Sequence, residues 1–525
     1  MLLPCAADKP DPAIPAASCG DEGLTINMAK FYITTPIYYV NARPHLGHAY
    51  TSVLADALAR YHRLKGDEVF FLTGTDEHGQ KVERSAKAAA QSPQRFTDEL
   101  SQAFRNLTPA LNLTNDDFIR TTEDRHKLGA RELWRRAKKS GDIFKKKYAG
   151  LYCVGHESFI SEKDLMDGQC PEHLTAPEKM SAENYFFALS KYTPLIKEYY
   201  ARHKNFVIPE AKRNEMQAIL NDGLEDISIS RETSQTSWGV PVPDDDTQVM
   251  YVWFDALTNY LTALGFPDES APLFKKFWPT DVHLVGKEIN RFHSLLWPAM
   301  LISAGLTLPE HILVHGWITV DGQKMSKTIG NVVDPFELVK NYGADTVRYF
   351  FCRELVIQND GDFSYVKIEE RYRADLSHEL GNLVQRTLTM VEKYANGKTP
   401  PPSHGEAAPY LESYQNAMTI FALDQALAKV WEFLASLDKA IEEMKPWVTV
   451  KKDPAAVNAL LYRLLESLRL AAIMIAPVMP ETAQKIWTAL GLSTLRPESA
   501  ILKWGGLKEG TPIKKGVPLF PALNK

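Results

Sequence analysis

The chain has 525 residues, 45% hydrophobic and 24% charged, which excludes wholesale disorder, collagen-like repeats and a disulfide scaffold. No run approaches the ~18 consecutive apolar residues of a membrane helix. A net charge of -5 excludes a surface that is basic throughout and leaves room for a local basic patch.

Residues 1–27 are rich in Pro and Ala and carry Asp8, Asp11, Asp21 and Glu22 against a single Lys9. They lack a basic start followed by an apolar core, so they are expected to be a disordered leader, neither a secretory signal nor a transit peptide, with Met28 a suitable start. Order begins at Lys30. KFYITTPIYYV is β-branched and aromatic and predicts a strand, and NARP a turn. Val53, Leu54, Ala57, Leu58, Tyr61 and Leu64 then recur at helical spacing, with Gly66 as a stop. VFFLTGTDEHG predicts a second strand running into a loop, and QKVERSAKAAAQ a second helix. Strand, helix, strand, helix predicts a parallel, wound α/β sheet. Ligands on such sheets sit at the carboxyl ends of strands, where NARPHLGH and TGTDEHG both lie. From Ile143 to Ser228 short strand-like pieces surround turns, which reads as a small insertion with two knuckle-like loops. Sheet-type sequence returns with VMYVWFDALTNYLTALG, DVHLVGKEINRFHSLLWPAML and HILVHGWITVDGQKMSKTIGN. From about Tyr372 onward, apolar stripes predict helices joined by short loops, hence an antiparallel bundle.

Two short motifs carry chemistry. His45-Leu46-Gly47-His48 stands where a strand hands over to a helix. Backbone N–H groups at a helix start attract anions, and two imidazoles three residues apart can both donate to one phosphate. Gly47 lets a flat base or a phosphate approach the backbone. Taken alone, such a tetrapeptide is more often ordinary surface. Lys324-Met325-Ser326-Lys327-Thr328, flanked by Gly322 and Gly330, gathers two lysines and two hydroxyls in one loop. That composition suits a mobile clamp on a polyphosphate. A lone lysine pair is usually solvated surface. It is the joint occurrence, on either side of an insertion, that carries weight.

The pair resembles the HIGH and KMSKS signatures of class I aminoacyl-tRNA synthetases. ITTPIYYVNARPHLGHAY, FLTGTDEHGQK, YVWFDALTNYLTALG, HLVGKEINRFHSLLWPAML and HGWITVDGQKMSKTIGNVVDP are each similar to the methionyl-tRNA synthetases, in the same order. The resemblance runs from about Met28 to the C-terminus. It implies a Rossmann-type parallel-sheet catalytic domain of α/β class with a small inserted knuckle domain, followed by an all-α helical bundle. The expected partition is a leader over 1–27, catalytic halves over 28–142 and 229–315, an insertion over 143–228, a clamp-loop and stem-contact region over 316–372, and an anticodon-binding bundle over 373–525.

The implied activity is a two-step ligase acting on methionine, ATP with Mg2+, and tRNA(Met). Methionyl-adenylate and pyrophosphate form first, and a ribose hydroxyl of the terminal adenosine then takes the methionyl group. By motif, His45 and His48 are expected at the α-phosphate, Lys327 with Lys324 assisting on the ATP phosphates, and Gly47, Gly286 and Glu288 along the nucleotide. Positioning and charge stabilisation would supply the rate, with no side-chain nucleophile. Two positions depart from the family pattern. Thr328 replaces the usual Ser and keeps its hydroxyl. Glu288 replaces the usual Asp and carries its carboxylate one methylene further out.

Methionine is long, flexible and apolar, so its pocket should be aromatic-walled with few polar tips. Trp253, Ala256, Leu257 and Tyr260 fall on one helical face by spacing. By itself that stripe reads as core. The family places these residues around the substrate side chain, with Tyr39, Ile289 and His293 completing the wall and Asp76 holding the ammonium. Cys153-x-x-His156 and Cys170-x-x-His173 suit a tetrahedral structural Zn2+, the alternative being a metal-free knuckle with buried cysteines. Five cysteines in so long a chain suggest a reducing, cytoplasmic setting. Asn106 and Asn112 begin Asn-Leu-Thr sequons that a cytosolic protein would not glycosylate.

In the bundle, the resemblance points to Asn382, Arg386 and Trp447 as the anticodon readers. A local basic track around Arg135, Arg136, Lys138 and Lys139 would dock the tRNA. The insertion is too short for the hydrolytic editing domain of the isoleucine, leucine and valine enzymes, and no OB-type domain follows, so a monomer is expected. Two other readings remain: a HIGH-type nucleotidyltransferase that ignores tRNA, against which the long bundle argues, and a non-catalytic tRNA-binding relative, against which the retained histidines and lysines argue.

Overall fold

A computed structural model describes residues 29–153, 158–160, 162–171, 174–325, 330–405 and 407–523. The leader expected over 1–27 lies outside them. The central sheet is built from β1 (Lys30–Tyr39), β2 (Glu68–Asp76), β3 (Asp117–Arg120), β4 (Val207–Ile208), β5 (Val282–Gly286) and β6 (His311–His315). Every pairing is parallel, in the order β3-β2-β1-β5-β6-β4. From β1 the chain crosses over through helix α1 (Leu46–Leu64) to β2 and then β3 on one side. It later returns to lay β5 and β6 on the other. The order therefore reverses between β1 and β5, and the crevice outside their carboxyl ends is where a wound sheet binds ligands.

Side chains of the sheet alternate between two cores, as a period of two requires. Phe31, Ile33, Phe71, Val282 and Leu284 join α1 on one face. Tyr32, Phe70, Leu72 and Val285 join Leu133, Trp134, Leu257 and Trp297 on the other. Of the positions its spacing predicted, α1 buries Val53, Leu54, Ala57, Leu58 and Tyr61 and leaves Leu64 half-buried, and it buries Leu46 and Ala49 as well.

The stretch 143–228 forms an antiparallel four-stranded sheet from Ile143–Cys153, Ser158–Ile160, Glu178–Phe187 and Ile227–Ser228. It also sends β4 back to the edge of the central sheet, where Ile312 and Leu313 pair with Val207 and Ile208. A two-residue strand next to Pro209 gives no periodic signal in the sequence. The strand before the aromatic motif stops at Met250, and the rest is helical over Val252–Leu257 and Asn259–Thr262. Ile318–Val320 and Gln323–Lys324 form a hairpin closed by Asp321 and Gly322, at φ 50° and 75°. Two positive φ values are what a tight two-residue hairpin turn demands.

Helices follow from Tyr365, including a π-helical stretch over Tyr372–Gly381 and the long helices Leu423–Met444 and Pro454–Ile475. The α1 face of the sheet and this bundle share one continuous core, with Leu54, Leu376, Leu427 and Leu465 all in it. A buried cation welds the two. The Arg348 guanidinium pairs with Asp56 of α1 at 2.7 Å and donates to the carbonyls of Leu111, Pro477 and Val478 at 3.0, 2.9 and 2.7 Å. Arg348→Met removes half of a fully buried ion pair and strands those acceptors. We expect a loss of about 3–5 kcal/mol in denaturant unfolding. A loss below about 1 kcal/mol would show that the weld does not couple the sheet to the bundle.

Candidate active site

α1 begins with an unusual cap. His45 has extended backbone, φ -129° and ψ 178°, and its Nδ1 accepts the Gly47 N–H at 3.1 Å. His48 Nδ1 accepts the His45 N–H at 3.1 Å. The pair is a reciprocal capping box built from imidazoles instead of a hydroxyl and a carboxylate. A Cβ on Gly47 would sit 3.1 Å from the His45 ring, so glycine keeps the cap undistorted. Because each Nδ1 is an acceptor, the remaining proton of each neutral ring is on Nε2. The two rings lie 3.8 Å apart, centroid to centroid, so two N–H donors are presented side by side at a helix N-terminus.

The surroundings keep His48 uncharged. Tyr38 and Phe104 pack edge-on to it at 4.9 and 5.0 Å. Burial, with the neighbouring His45, holds its pKa well below the ordinary value. The far side of the helix start is tied down as well. The Leu46 N–H bonds the Val333 carbonyl at 3.2 Å, which anchors the downstream shoulder of the clamp loop to α1. Thr51 bridges the Gly47 carbonyl, at 3.0 Å, and His315 Nε2, at 2.8 Å, at the end of β6.

Tyr39 and Asp76 end β1 and β2 in register with each other, and Asp76 is buried. Across the crevice lies the aromatic wall. His293 Nδ1–H donates to the Ile289 carbonyl at 3.0 Å, which leaves Nε2 to accept the Tyr260 hydroxyl at 2.7 Å. Burial lowers the His293 pKa to about 4, so this pair stays neutral. Trp253 lies flat on Phe292 at 4.1 Å and edge-on to His293 at 6.2 Å. Ala256 and Leu257 are buried in the same helix. Trp253, Tyr260, His293 and Ile289 are thus brought together.

Several contributors escaped the sequence reading. Phe292 and Trp297 complete the wall, with Trp297 6.0 Å from Tyr260 and donating to His283 Nε2 at 3.3 Å. Phe292–Leu296 is π-helical, which shifts which aromatics share a face relative to α-helical spacing. Asp255, fully buried, accepts from His78 Nδ1 and His126 Nε2, both at 2.7 Å. Burial works against its charge, but the two histidines hold its pKa down to about 2. This bridge locks the Trp253 helix to the loop carrying Asp76. The one available signal was an Asp inside an otherwise apolar helix.

At the end of β5, Gly286 is buried and Glu288, in the turn that follows, is exposed. The Glu288 carboxylate accepts the Trp317 indole N–H at 3.0 Å. Lys324, the first clamp lysine, lies 4.9 Å over the same indole, so the hairpin and the β5 turn meet there. Lys327 and Thr328 lie outside the described residues. In the insertion Cys153 and Cys170 are buried, whereas His156 and His173 lie outside the described residues.

In the bundle, Arg386 pairs with Asp438 and Glu442 at 3.1 and 2.7 Å, and Asn382 lies one turn earlier on the same helix, Asn382–Tyr394. Trp447 is 45% exposed just past the end of the helix that carries those two acids. Along the expected basic track, Arg135, Lys138 and Lys139 are exposed. Arg136 instead bonds Glu132 and Glu269 and stacks on Phe266, because its helix packs there.

The chain matches the family model for class I (M) tRNA synthetases over residues 31–179 and 173–388, and that for the anticodon-binding domain of tRNA ligases over 405–507. It is 45% identical over 511 residues to the methionine–tRNA ligase of Thermotoga maritima, covering 94% of this chain and 80% of that one. The chain belongs to the methionine–tRNA ligase family. The family member of Thermosynechococcus vestitus is 43% identical over 94% of this chain and 97% of its own length. The fold matches Mycobacterium tuberculosis methionyl-tRNA synthetase in complex with methionyl-adenylate at a TM-score of 0.90 and 41% identity, over 94% of this chain and all of that one.

The neutral histidines make the fold acid-sensitive in a defined window. His293 binds its proton at about pH 4 when folded and near 6.5 when unfolded. The unfolded chain therefore holds the extra proton between these values, and stability falls as pH drops through them. The thermal midpoint should decrease from pH 7 to pH 5, less steeply in His293→Gln. Identical slopes in the two proteins would contradict the neutral Tyr260–His293 pair.

Proposed function

We infer that the chain is a methionine–tRNA ligase, an ATP-dependent enzyme that activates methionine to methionyl-adenylate and transfers it to tRNA(Met). The observation that carries the reading is the paired Nε2–H donors at the start of α1, set at the sheet's switch point beside an aromatic slot. Methionine lies with its thioether among Trp253, Tyr260 and His293, walled by Tyr39, Ala256, Leu257 and Ile289, and its ammonium on Asp76. ATP, with Mg2+ on its phosphates, stretches from Gly286 and Glu288 past Gly47 to the clamp.

A carboxylate oxygen of methionine bonds the α-phosphorus as the bridging bond to the β-phosphate breaks. His45 and His48 donate to the α-phosphate oxygens as charge gathers there. Neutral donors stabilise that charge without trapping the ground-state anion as strongly as imidazolium would. Lys324 and Lys327 follow the departing pyrophosphate. The terminal ribose hydroxyl then attacks the activated carbonyl and AMP leaves. The helical bundle, with Asn382, Arg386 and Trp447, reads the anticodon, and the domain boundaries follow the sequence partition.

Among the described residues no helix is long and apolar enough to cross a membrane. We propose that the chain works as a monomer in the cytoplasm, where charged tRNA is used. The buried thiols of Cys153 and Cys170, with His156 and His173, supply the donor chemistry of a structural zinc that would staple the insertion.

The direct test is methionine-dependent pyrophosphate exchange alongside tRNA charging. Lys327→Ala should lower exchange on the order of a hundred-fold and leave methionine binding near wild type. Trp447→Ala should lower charging roughly ten-fold, the scale of one lost base stack, and spare exchange. Wild-type exchange in the first, or equal loss of both activities in the second, contradicts the assigned roles. Metal analysis of the purified protein should find about one zinc per chain, lost in His173→Ala. A zinc-free protein of unchanged stability removes the metal from the account.

A further inference from the structure

Glu288 has no rotameric reason to stay in place. It is exposed and carries its carboxylate on a flexible stem. In this fold it is nevertheless held on two sides. Its carboxylate lies over Gly286, where a Cβ would stand 2.7 and 2.8 Å from its two oxygens. On the other side, Trp317 Nε1–H donates to Oε2 at 3.0 Å.

The Trp317 backbone is itself held in place. Its main-chain N–H bonds Asp360 Oδ1 at 2.9 Å, and its carbonyl accepts the Gly361 N–H at 2.8 Å. The preceding residue, Gly316, leaves no room to shift, since a Cβ there would meet the Asn359 carbonyl at 2.1 Å. Asp360 also grips Lys287 through both oxygens, at 2.8 and 2.6 Å, and so parks that ammonium 4.0 Å over the indole. Lys324 covers the ring at 4.9 Å.

We propose that Trp317 is a positioning residue for nucleotide recognition: its indole N–H holds Oε2 of Glu288, which leaves Oε1 to accept from the ribose hydroxyls. The bond fixes side-chain torsions that a free glutamate would have to freeze on binding, so the entropy of ordering is met in the folded protein. Trp317 thereby determines where the long Glu288 side chain ends. The inference rests on the reading of Glu288 as a nucleotide contact.

The test is steady-state pyrophosphate exchange in the full chain for Trp317→Phe, Glu288→Gln and the double variant. Phenylalanine keeps an aromatic ring beneath Lys287 and Lys324 while removing the N–H together with the pyrrole half of the indole. Trp317→Phe should raise KM for ATP on the order of 3–10-fold, the scale of one hydrogen bond to a charged group. Its kcat should fall by less, and its KM for methionine should stay within two-fold, roughly the error of such a comparison. Glu288→Gln should raise KM for ATP at least as much, and the double variant should be no worse than Glu288→Gln alone. If the two effects multiply, Trp317 acts independently of Glu288 and the proposal fails. It fails equally if Trp317→Phe leaves KM for ATP unchanged, or raises both KM values together as general damage would. If Glu288→Gln itself binds ATP normally, the reading of Glu288 as a nucleotide contact falls and takes the proposal with it.

Discussion

The structure turns on the way one helix begins. Most helices satisfy their first N–H groups with a hydroxyl or carboxylate, which would place an acceptor where a phosphate must sit. Here two imidazoles accept those N–H groups through Nδ1, and each ring therefore carries its proton on the second nitrogen. The cap thus does two things at once. It ends α1, and it fixes the tautomers that make the site attractive to an anion. The neighbouring aromatics Tyr38 and Phe104 help bury His48 and keep it neutral, and the Val333 carbonyl ties the helix start to the shoulder of the loop that follows Lys324.

Everything around the cap serves to place it. The reversal of strand order between β1 and β5 opens the crevice, and the two-core alternation of the strands fixes which residues reach it. Buried polar bridges then set the angles. Asp255 with His78 and His126 joins the aromatic wall to the Asp76 loop. Arg348 with Asp56 joins α1 to the bundle. These are costly groups to bury, and their value lies in geometry more than in net stability. A bundle that shares its core with α1 also offers a rigid link between the site that activates the amino acid and the helices proposed to read the anticodon.

Much of this was legible in the sequence, for physical reasons. The β1–α1–β2 unit announces itself because period-two and helical patterns meet at a turn, and both motif loops fall at strand ends as the wound sheet requires. The aromatic wall was found through spacing that only a family resemblance raises above a core stripe. What stayed hidden follows from the same physics. β4 is two residues long and carries no periodicity. Phe292 and Trp297 sit around a π-turn, where α-helical spacing misleads. Trp317 reads as an ordinary aromatic beside a glycine until Glu288, Lys287 and Lys324 are seen to converge on it from distant positions. Arg136 lies in a basic run, and its helix turns it onto Glu269, 133 positions away in sequence. Long-range pairing of charges is a tertiary property that local sequence does not encode.

The claim on which the account stands is the protonation pattern of the cap. Nitrogen-15 spectra of imidazole-labelled protein, with His45 and His48 identified by single substitution, read it directly. At pH 7.5 the account predicts both rings neutral, protonated at Nε2 and unprotonated at Nδ1, with both Nε2 signals moving when a methionyl-adenylate analogue binds. A proton on either Nδ1, or Nε2 signals indifferent to the analogue, would contradict it.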